Sequence, residues 1–424
     1  MKAMHIAIID DGVNEGLYGT GELIHNIEIT SGLDIRKREG YDPFLPSHGT
    51  TCAAIIKKYA PHAMLSSIKI LDIASMKGMK GQLIRALEWC CDNGIRLVSL
   101  SLGTIYYRDF PELEKVVKAI VRKGAVIVAA CNNRNVFTCP ASLKGVIGVK
   151  CAAPDSFKEG EYIYSPFAPD GIEITACGSH RLVKYTGESK ITSSCNSFAA
   201  PMATALVHEM MAGSPDISIE EIKEELRKNS LCNAENKRKD LHNVYSYILD
   251  DIDIPIVMFY NYTDESLNGI KCKLCHMFRE DGYNCILACE KEEGANPVNG
   301  IVEIGSCMPE SNSISVEGLK IIYRVYDPDI VIAAIDAHRA KREFFERLEA
   351  AVKADIRIFA VNHKRERVLE YIARADDSKA VLLLLKGKAQ IENYNGARIF
   401  NYYDENSVDE LYRHLLCLLR NDGG

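Results

Sequence analysis

The chain has 424 residues, 47% of them hydrophobic, 26% charged and 8% aromatic. At roughly 150 residues per domain this predicts two to three globular domains, and it excludes a disordered or fibrous chain. Fifty-one basic against 58 acidic residues leave a net charge of −7, so no basic field draws the protein to nucleic acid or to anionic lipid. The longest apolar runs, 125–131 and 380–385, are strand-length and far short of a bilayer span, so no membrane is an expected partner. The N-terminus enters an apolar strand directly and reads as lacking a signal peptide. Fifteen cysteines, an odd number scattered through apparent core elements, predict free thiols in a reducing cytoplasm rather than a disulfide framework.

In chain order, strand-like runs at Ile6–Ile9, Ser66–Ile70, Leu97–Leu100, Ala125–Ala129 and Val146–Val149 alternate with helix-like stretches at Thr50–Lys58, Gln82–Asn93 and Glu112–Lys123. The helical stretches space their apolar residues three and four apart. Strands alternating with helices predict an α/β fold, a parallel sheet with helices on both faces. Beyond Pro201 a small-residue helix runs through Val207, and Ser218 followed by Glu221 opens an acidic helix as a capping box does. The polar stretch Cys232–Leu241 precedes a new apolar strand at Ile254–Tyr260, which sets a boundary near Asp250–Asp253 between segments 1–250 and 251–424. The second segment repeats the alternation. Strands are expected near Cys285–Ala288, Lys320–Val325, Ile330–Ala334, Arg357–Val361 and Ala380–Leu385, and helices near Arg339–Val352, Arg365–Arg374 and Val408–Leu419.

Three separated clusters share one chemical logic. Asp10 ends the first apolar strand ahead of Asp11-Gly12, at the carboxyl edge where open α/β sheets place functional groups. His48 lies in Ser47-His48-Gly49-Thr50-Thr51, and Ser197 in Cys195-Asn196-Ser197-Phe198-Ala199-Ala200-Pro201, each at the head of a small-residue helix. A helix start presents backbone N–H groups and the positive end of a dipole to a developing oxyanion. Taken singly, these are an ordinary strand-end carboxylate, a helix-start histidine and a helix cap. Taken together, in the order Asp, His, Ser, they resemble the subtilisin-like serine proteases, the subtilases. Ser99-Leu100-Ser101-Leu102-Gly103 resembles that family's substrate-binding strand, Val126–Asn132 the strand ending at its oxyanion asparagine, and Ala176-Cys177-Gly178 the loop before its serine. The resemblance covers roughly residues 1–230.

The resemblance implies roles residue by residue. Ser197 is the nucleophile, His48 the general base and then acid, and Asp10 the group that orients the imidazole. The Asn132 amide and the Ser197 N–H hold the oxyanion. Ser101, Leu102 and Gly103 pair with the substrate backbone, with Met79-Lys80-Gly81 as the opposite wall, so Lys80 and Gly81 join the substrate-binding set. It implies a cytoplasmic serine endopeptidase with no cofactor and no metal, whose partner is a peptide or protein substrate, such as a small precursor peptide losing its leader. The nine residues ahead of Asp10 hold no propeptide, which is like the intracellular members. Two departures bear on activity: Cys131 stands where the family has glycine, and Cys195-Asn196 where it has Gly-Thr. Cys131 is expected to narrow the pocket for the side chain before the cut, favouring small residues. The same departures motivate an alternative, a catalytically weak or inactive subtilase-like module that binds peptides.

The second segment opens strand, loop, helix over Pro255–Cys272 and is faintly similar to a P-loop core, with Asp336 closing an apolar strand. The Gly-x-x-x-x-Gly-Lys-[Ser/Thr] pattern is absent, so it reads as a degenerate Rossmann-like domain for recognition or for pairing as a homodimer. Cys272, Cys275 and His276 with Cys285 and Cys289 superficially suggest zinc. A helix over Ile270–Arg279 and a strand over Cys285–Cys289 would not converge them on one tetrahedral ion, so packing thiols are expected.

Overall fold

The computed structural model describes residues 5–72, 75–231, 254–290, 294–304, 314–337, 348, 352–361, 380–385, 398–401 and 406–420. The chain divides into two compact units, Met1–Val244 and Tyr245–Gly424. The boundary expected near 250 falls outside the described residues. Among the described residues no helix is long and apolar enough to cross a membrane.

The first unit is built on nine strands: β1 (His5–Asp10), β2 (Leu23–Ile29), β3 (Ile35–Lys37), β4 (Met64–Lys69), β5 (Leu97–Leu100), β6 (Val126–Ala130), β7 (Ile147–Cys151), β8 (Tyr162–Tyr164) and β9 (Ile174–Ala176). They lie in the order β3-β2-β4-β1-β5-β6-β7-β9-β8. The inner pairs are parallel, and only the edge pairs β2–β3 and β8–β9 are antiparallel. A separate hairpin joins β10 (Arg181–Val183) to β11 (Ser189–Ile191). The helices are α1 (His48–Tyr59), α2 (Lys80–Asp92), α3 (Phe110–Arg122), α4 (Asn196–Gly213) and α5 (Ile219–Lys228). Ile6 and Ile8 of β1 enter one core with α1 and α4, whereas Ala7 and Ile9, equally buried, lie outside that cluster, and α2 packs on β1. Strands buried on both faces read as continuous apolar runs, which is why β1, β5 and β6 were legible. The sequence reading passed over β2 because only Ile29 of its seven residues is buried, so its polar positions hide the period.

The second unit holds β12 (Ile256–Asn261), β13 (Cys285–Cys289), β14 (Ile301–Glu303), β15 (Ile330–Ile335), β16 (Ile356–Val361), β17 (Ala380–Leu385) and β18 (Arg398–Asn401), with α6 (Asn268–Glu280), α7 (Val316–Tyr326) and α8 (Ser407–Arg420). Every pairing is parallel, in the order β14-β13-β15-β12-β16-β17-β18. The chain winds outward from β12 to β14, returns through β15, and continues through β16 and β17 to β18 at the other edge. One expectation is corrected: residues 320–325 are not a strand but the body of α7. Leu319, Ile322 and Val325 bury one helical face, and Ser315 caps it by accepting from the Gly318 amide, so the Ile321-Ile322 pair sits in a 3.6-residue period. The helices expected at 339–352 and 365–374 lie outside the described residues, all but Leu348 and Val352.

The carboxyl ends of β1, β5 and β6 adjoin one another, and α1 and α4 both start there. Ser47 caps α1, its Oγ accepting from the Thr50 amide at 3.1 Å and donating to the Gly12 carbonyl at 2.7 Å. Ser47→Ala is expected to cost about 1 kcal/mol, the usual weight of such a cap. Trp89, the only tryptophan, lies in α2 of this unit, so urea unfolding followed by its fluorescence measures the loss directly. An unchanged midpoint would show the cap to be dispensable.

Candidate active site

Asp10 is 1% exposed at the end of β1, and both its oxygens reach His48 Nδ1, at 3.0 and 2.9 Å. This contact exists because α1 approaches the β1 edge without intervening side chains. A Cβ on Gly49 would meet the Gly12 carbonyl at 2.8 Å and Asp10 Cβ at 3.1 Å. Gly12 itself has φ +104° and lies under the Arg38 guanidinium, a conformation that only glycine adopts without strain. Asp11 completes the anchor. Its two oxygens accept from the His48 amide at 3.0 Å and the Gly49 amide at 2.7 Å, satisfying first-turn donors of α1 and fixing the backbone that carries the imidazole. Burial, and then the neighbouring Asp10 charge, raise the Asp11 carboxyl above the ordinary aspartate value, and the two amides pull it back.

Cys52, one turn along α1, lies behind this pair with Sγ 3.8 Å from Asp10 Oδ2 and 3.9 Å from His48 Nδ1. Burial works against the His48 imidazolium, but its polar neighbours, Cys52 and Asp10, outweigh that and hold the ring above the ordinary histidine value. Burial keeps Cys52 a neutral thiol, so the Asp10 carboxylate is the group that supplies the stabilising charge. The ring stacks on Phe198, with centroids 5.3 Å apart and planes 23° off parallel.

Ser197 is the second residue of α4, whose first turn is set by a proline. Pro201 has no N–H to donate to the Ser197 carbonyl, and that carbonyl instead accepts from Ser101 Oγ at 2.8 Å. The Ser197 hydroxyl in turn rests on the Ser101 carbonyl at 3.5 Å. Ser101 thus tethers the first turn of α4 to the end of β5. No Ser197–His48 hydrogen bond is formed among the described residues, a looseness usual in serine sites without substrate. Both side chains open onto one groove of about 480 Å³.

Asn132, just past β6, lines that groove with them. Its Oδ1 accepts from the amides of Arg134 at 2.9 Å and Val136 at 3.3 Å. The acceptor side of the amide is therefore spoken for by its own loop. Opposite stand Ser101, Leu102 and Gly103. Between the two walls lies Thr138. Its Oγ1 accepts from the Asn132 amide at 3.1 Å, and a Cβ on Gly103 would meet its methyl at 2.9 Å. Thr104 and Cys139 exchange backbone hydrogen bonds of 2.8 and 2.9 Å next to it. Cys131, 3% exposed, turns its Sγ toward the Val136 carbonyl, 3.4 Å away, and backs Thr138. Thr138, which the sequence reading did not single out, joins Asn132 to the Gly103 side of the groove.

Of the expected far wall, Met79 and Lys80 line the groove and Gly81 does not. Lys80 lines the groove, but its ammonium is engaged by Glu112 at 2.7 Å and Asp109 at 3.4 Å. Gly81 faces away, toward the Leu33 side chain. In the second unit, Cys275 Sγ donates to the Cys285 and Gly300 carbonyls, whereas Cys289 Sγ donates to the Val302 carbonyl. Among the described residues, the one group of potential ligand atoms within 4.8 Å of each other is Asp10, His48 and Cys52, already joined by their own hydrogen bonds.

A family model described as the subtilase family, Peptidase S8, matches residues 1–247. The thermostable alkaline protease of Halalkalibacterium halodurans is 25% identical over 239 residues, a match covering 51% of this chain and 64% of that protein. The minor extracellular protease Epr of Bacillus subtilis is 25% identical over 240 residues, covering 54% of this chain and 35% of that one. The chain thus spans less than two thirds of the length of these relatives. Among solved structures, a psychrophilic protease, S41, is similar with a TM-score of 0.45 and 21% identity, over 53% of this chain and 82% of that chain. A lanthipeptide protease is similar with a TM-score of 0.43 and 16% identity, over 55% and 81%.

The His48 ring is expected to titrate above 6.5, because Asp10 favours its charged form. Asp10→Asn removes that charge and leaves burial unopposed, so the midpoint should fall below the wild-type value. Histidine-selective NMR, with the His48 signal assigned by its loss in His48→Ala, reads this directly. A midpoint that stays in place would break the link between the two residues.

Proposed function

The chain belongs to the subtilase family, and from that premise we propose that it is a serine endopeptidase working through an acyl-enzyme. The observation that carries this reading is the contact of both Asp10 oxygens with His48 Nδ1 at the mouth of the groove that also holds Ser197 and Asn132. In this reading Ser197 Oγ swings off the Ser101 carbonyl and attacks the scissile carbonyl carbon, while His48 Nε2 takes its proton. Asp10 stabilises the resulting imidazolium, and Asn132 Nδ2 with the Ser197 N–H holds the oxyanion. His48 then gives the proton to the leaving amine, and water, deprotonated by the same ring, releases the acyl group.

We infer further that its cleavage is limited and occurs in the cytoplasm, with removal of a leader from a small precursor peptide as the proposed task. The placement of Thr138 in the groove, against the Asn132 amide and Gly103, supports a restricted choice of side chain before the cut. The thirteen free cysteines among the described residues support a reducing compartment. The second unit is assigned to substrate recognition.

A fluorophosphonate probe tests the chemistry without knowledge of the substrate. Wild type should label, and Ser197→Ala and His48→Ala should not. A folded wild type that fails to label would instead favour the peptide-binding module, the reading to which Cys131 and Cys195 lend themselves. A peptide library tests the pocket: cleavage should follow Gly, Ala or Ser. Thr138→Ser keeps the hydroxyl that the Asn132 amide needs and removes the methyl against Gly103. It should raise the relative rate after Val or Leu by about tenfold, the lower range for one methylene of pocket space. Efficient wild-type cleavage after Phe, Tyr or Leu would contradict a restriction set at Thr138.

A further inference from the structure

Asn196 stands one residue before the nucleophile, 4% exposed, in a position that the Proposed function leaves without a task. Its planar amide is saturated in three directions. Nδ2 donates to the Asn132 carbonyl at 2.6 Å and to Asn135 Oδ1 at 2.9 Å, and Oδ1 accepts from the Cys151 amide at 2.6 Å. Its backbone N–H reaches Asn133 Oδ1 at 3.4 Å. One side chain therefore joins the first turn of α4, the loop bearing Asn132, and the end of β7.

We infer that Asn196 is the positioning residue of the oxyanion hole, an inference that rests on the serine-protease reading above. The two proposed donors to the oxyanion, Asn132 Nδ2 and the Ser197 N–H, come from segments 65 residues apart in sequence, and their separation must match a single oxygen atom to a few tenths of an ångström. Asn196 sets that separation by gripping the Asn132 backbone carbonyl from the residue covalently bonded to Ser197, while the Cys151 amide ties the assembly to the sheet. Only an amide satisfies these partners. A carboxylate in the same shape would face the Asn132 carbonyl and Asn135 Oδ1 with oxygen against oxygen, and a hydroxyl is too short to span them. A buried donor or acceptor stripped of its partner carries the full desolvation penalty, so the network holds one arrangement.

The test uses the full chain, fluorophosphonate labelling rates, and hydrolysis of succinyl-Ala-Ala-Ala p-nitroanilide. Wild type is compared with Asn132→Ala, Asn196→Ala, Asn196→Asp and the Asn132→Ala/Asn196→Ala pair. Asn132→Ala should lower kcat by about 10²–10³, the usual effect of removing one oxyanion donor. Asn196→Ala and the near-isosteric Asn196→Asp should each lower kcat at least about tenfold with KM within about twofold. The double variant should be no slower than Asn132→Ala within about threefold, because the second change acts only through the first donor. Losses that multiply in the double variant, an Asn196→Asp enzyme as fast as wild type, or an effect confined to KM would overturn the inference. Should Asn196→Ala fail to fold, Asn196→Asp and Asn196→Thr carry the same comparison. A wild type that neither labels nor hydrolyses the anilide would instead remove the protease reading itself, and the inference with it.

Discussion

The approach of two backbones, Gly49 on one side and the Gly12 carbonyl on the other, conditions everything at the sheet edge. A methyl at Gly49 would stand 2.8 Å from that carbonyl and 3.1 Å from Asp10 Cβ, so α1 would have to back away from β1. The contact of His48 with both Asp10 oxygens has only hydrogen-bond length to spare, and its worth falls steeply with distance and angle. Asp11 and Ser47 then hold α1 in place by its own first-turn amides. The electrostatics follow from the geometry: a carboxylate this buried is tolerable because it is matched to a donor, and that donor acquires its basicity from the match.

The helix that carries Ser197, α4, is constrained by a different device. Pro201 would weaken an ordinary helix by removing a hydrogen bond. Here the carbonyl it releases belongs to Ser197 and is taken up by Ser101, whose own backbone begins one wall of the groove. That wall and the first turn of α4 are therefore tied to each other directly. His180, fully buried, makes a second tie by reaching the Phe198 carbonyl through Nε2 at 3.0 Å, with Tyr59 on its other nitrogen at 2.9 Å. Phe198 in turn supplies the face on which the His48 ring stacks.

What was legible in the amino-acid sequence was what local chemistry writes there. Asp10, His48 and Ser197 could be read because each sits at an element terminus next to a glycine or small-residue run, Asn132 only through the family resemblance, and the buried strands because their apolar runs are unbroken. The edge strands β2 and β3 could not, since one-sided burial among polar residues leaves no period. Lys320–Val325 misled because β-branched residues favour strands locally, whereas the packing of Leu319, Ile322 and Val325 decides for α7. Asp11, Thr138 and Asn196 were illegible for a deeper reason. Each acts through partners distant in sequence or through the length of a loop, and neither quantity appears in the residues beside them. Asn196 read as a departure from the family pattern, yet the structure shows it fully bonded.

The bridge between Thr104 and Cys139 has an implication for how such a groove discriminates. It lies beside Thr138, whose hydroxyl accepts from the Asn132 amide and whose methyl fills the space that a Cβ on Gly103 would need. A methyl differs from a hydrogen by only about 1 kcal/mol of apolar burial, so discrimination at that point comes from bulk refused rather than from surface gained.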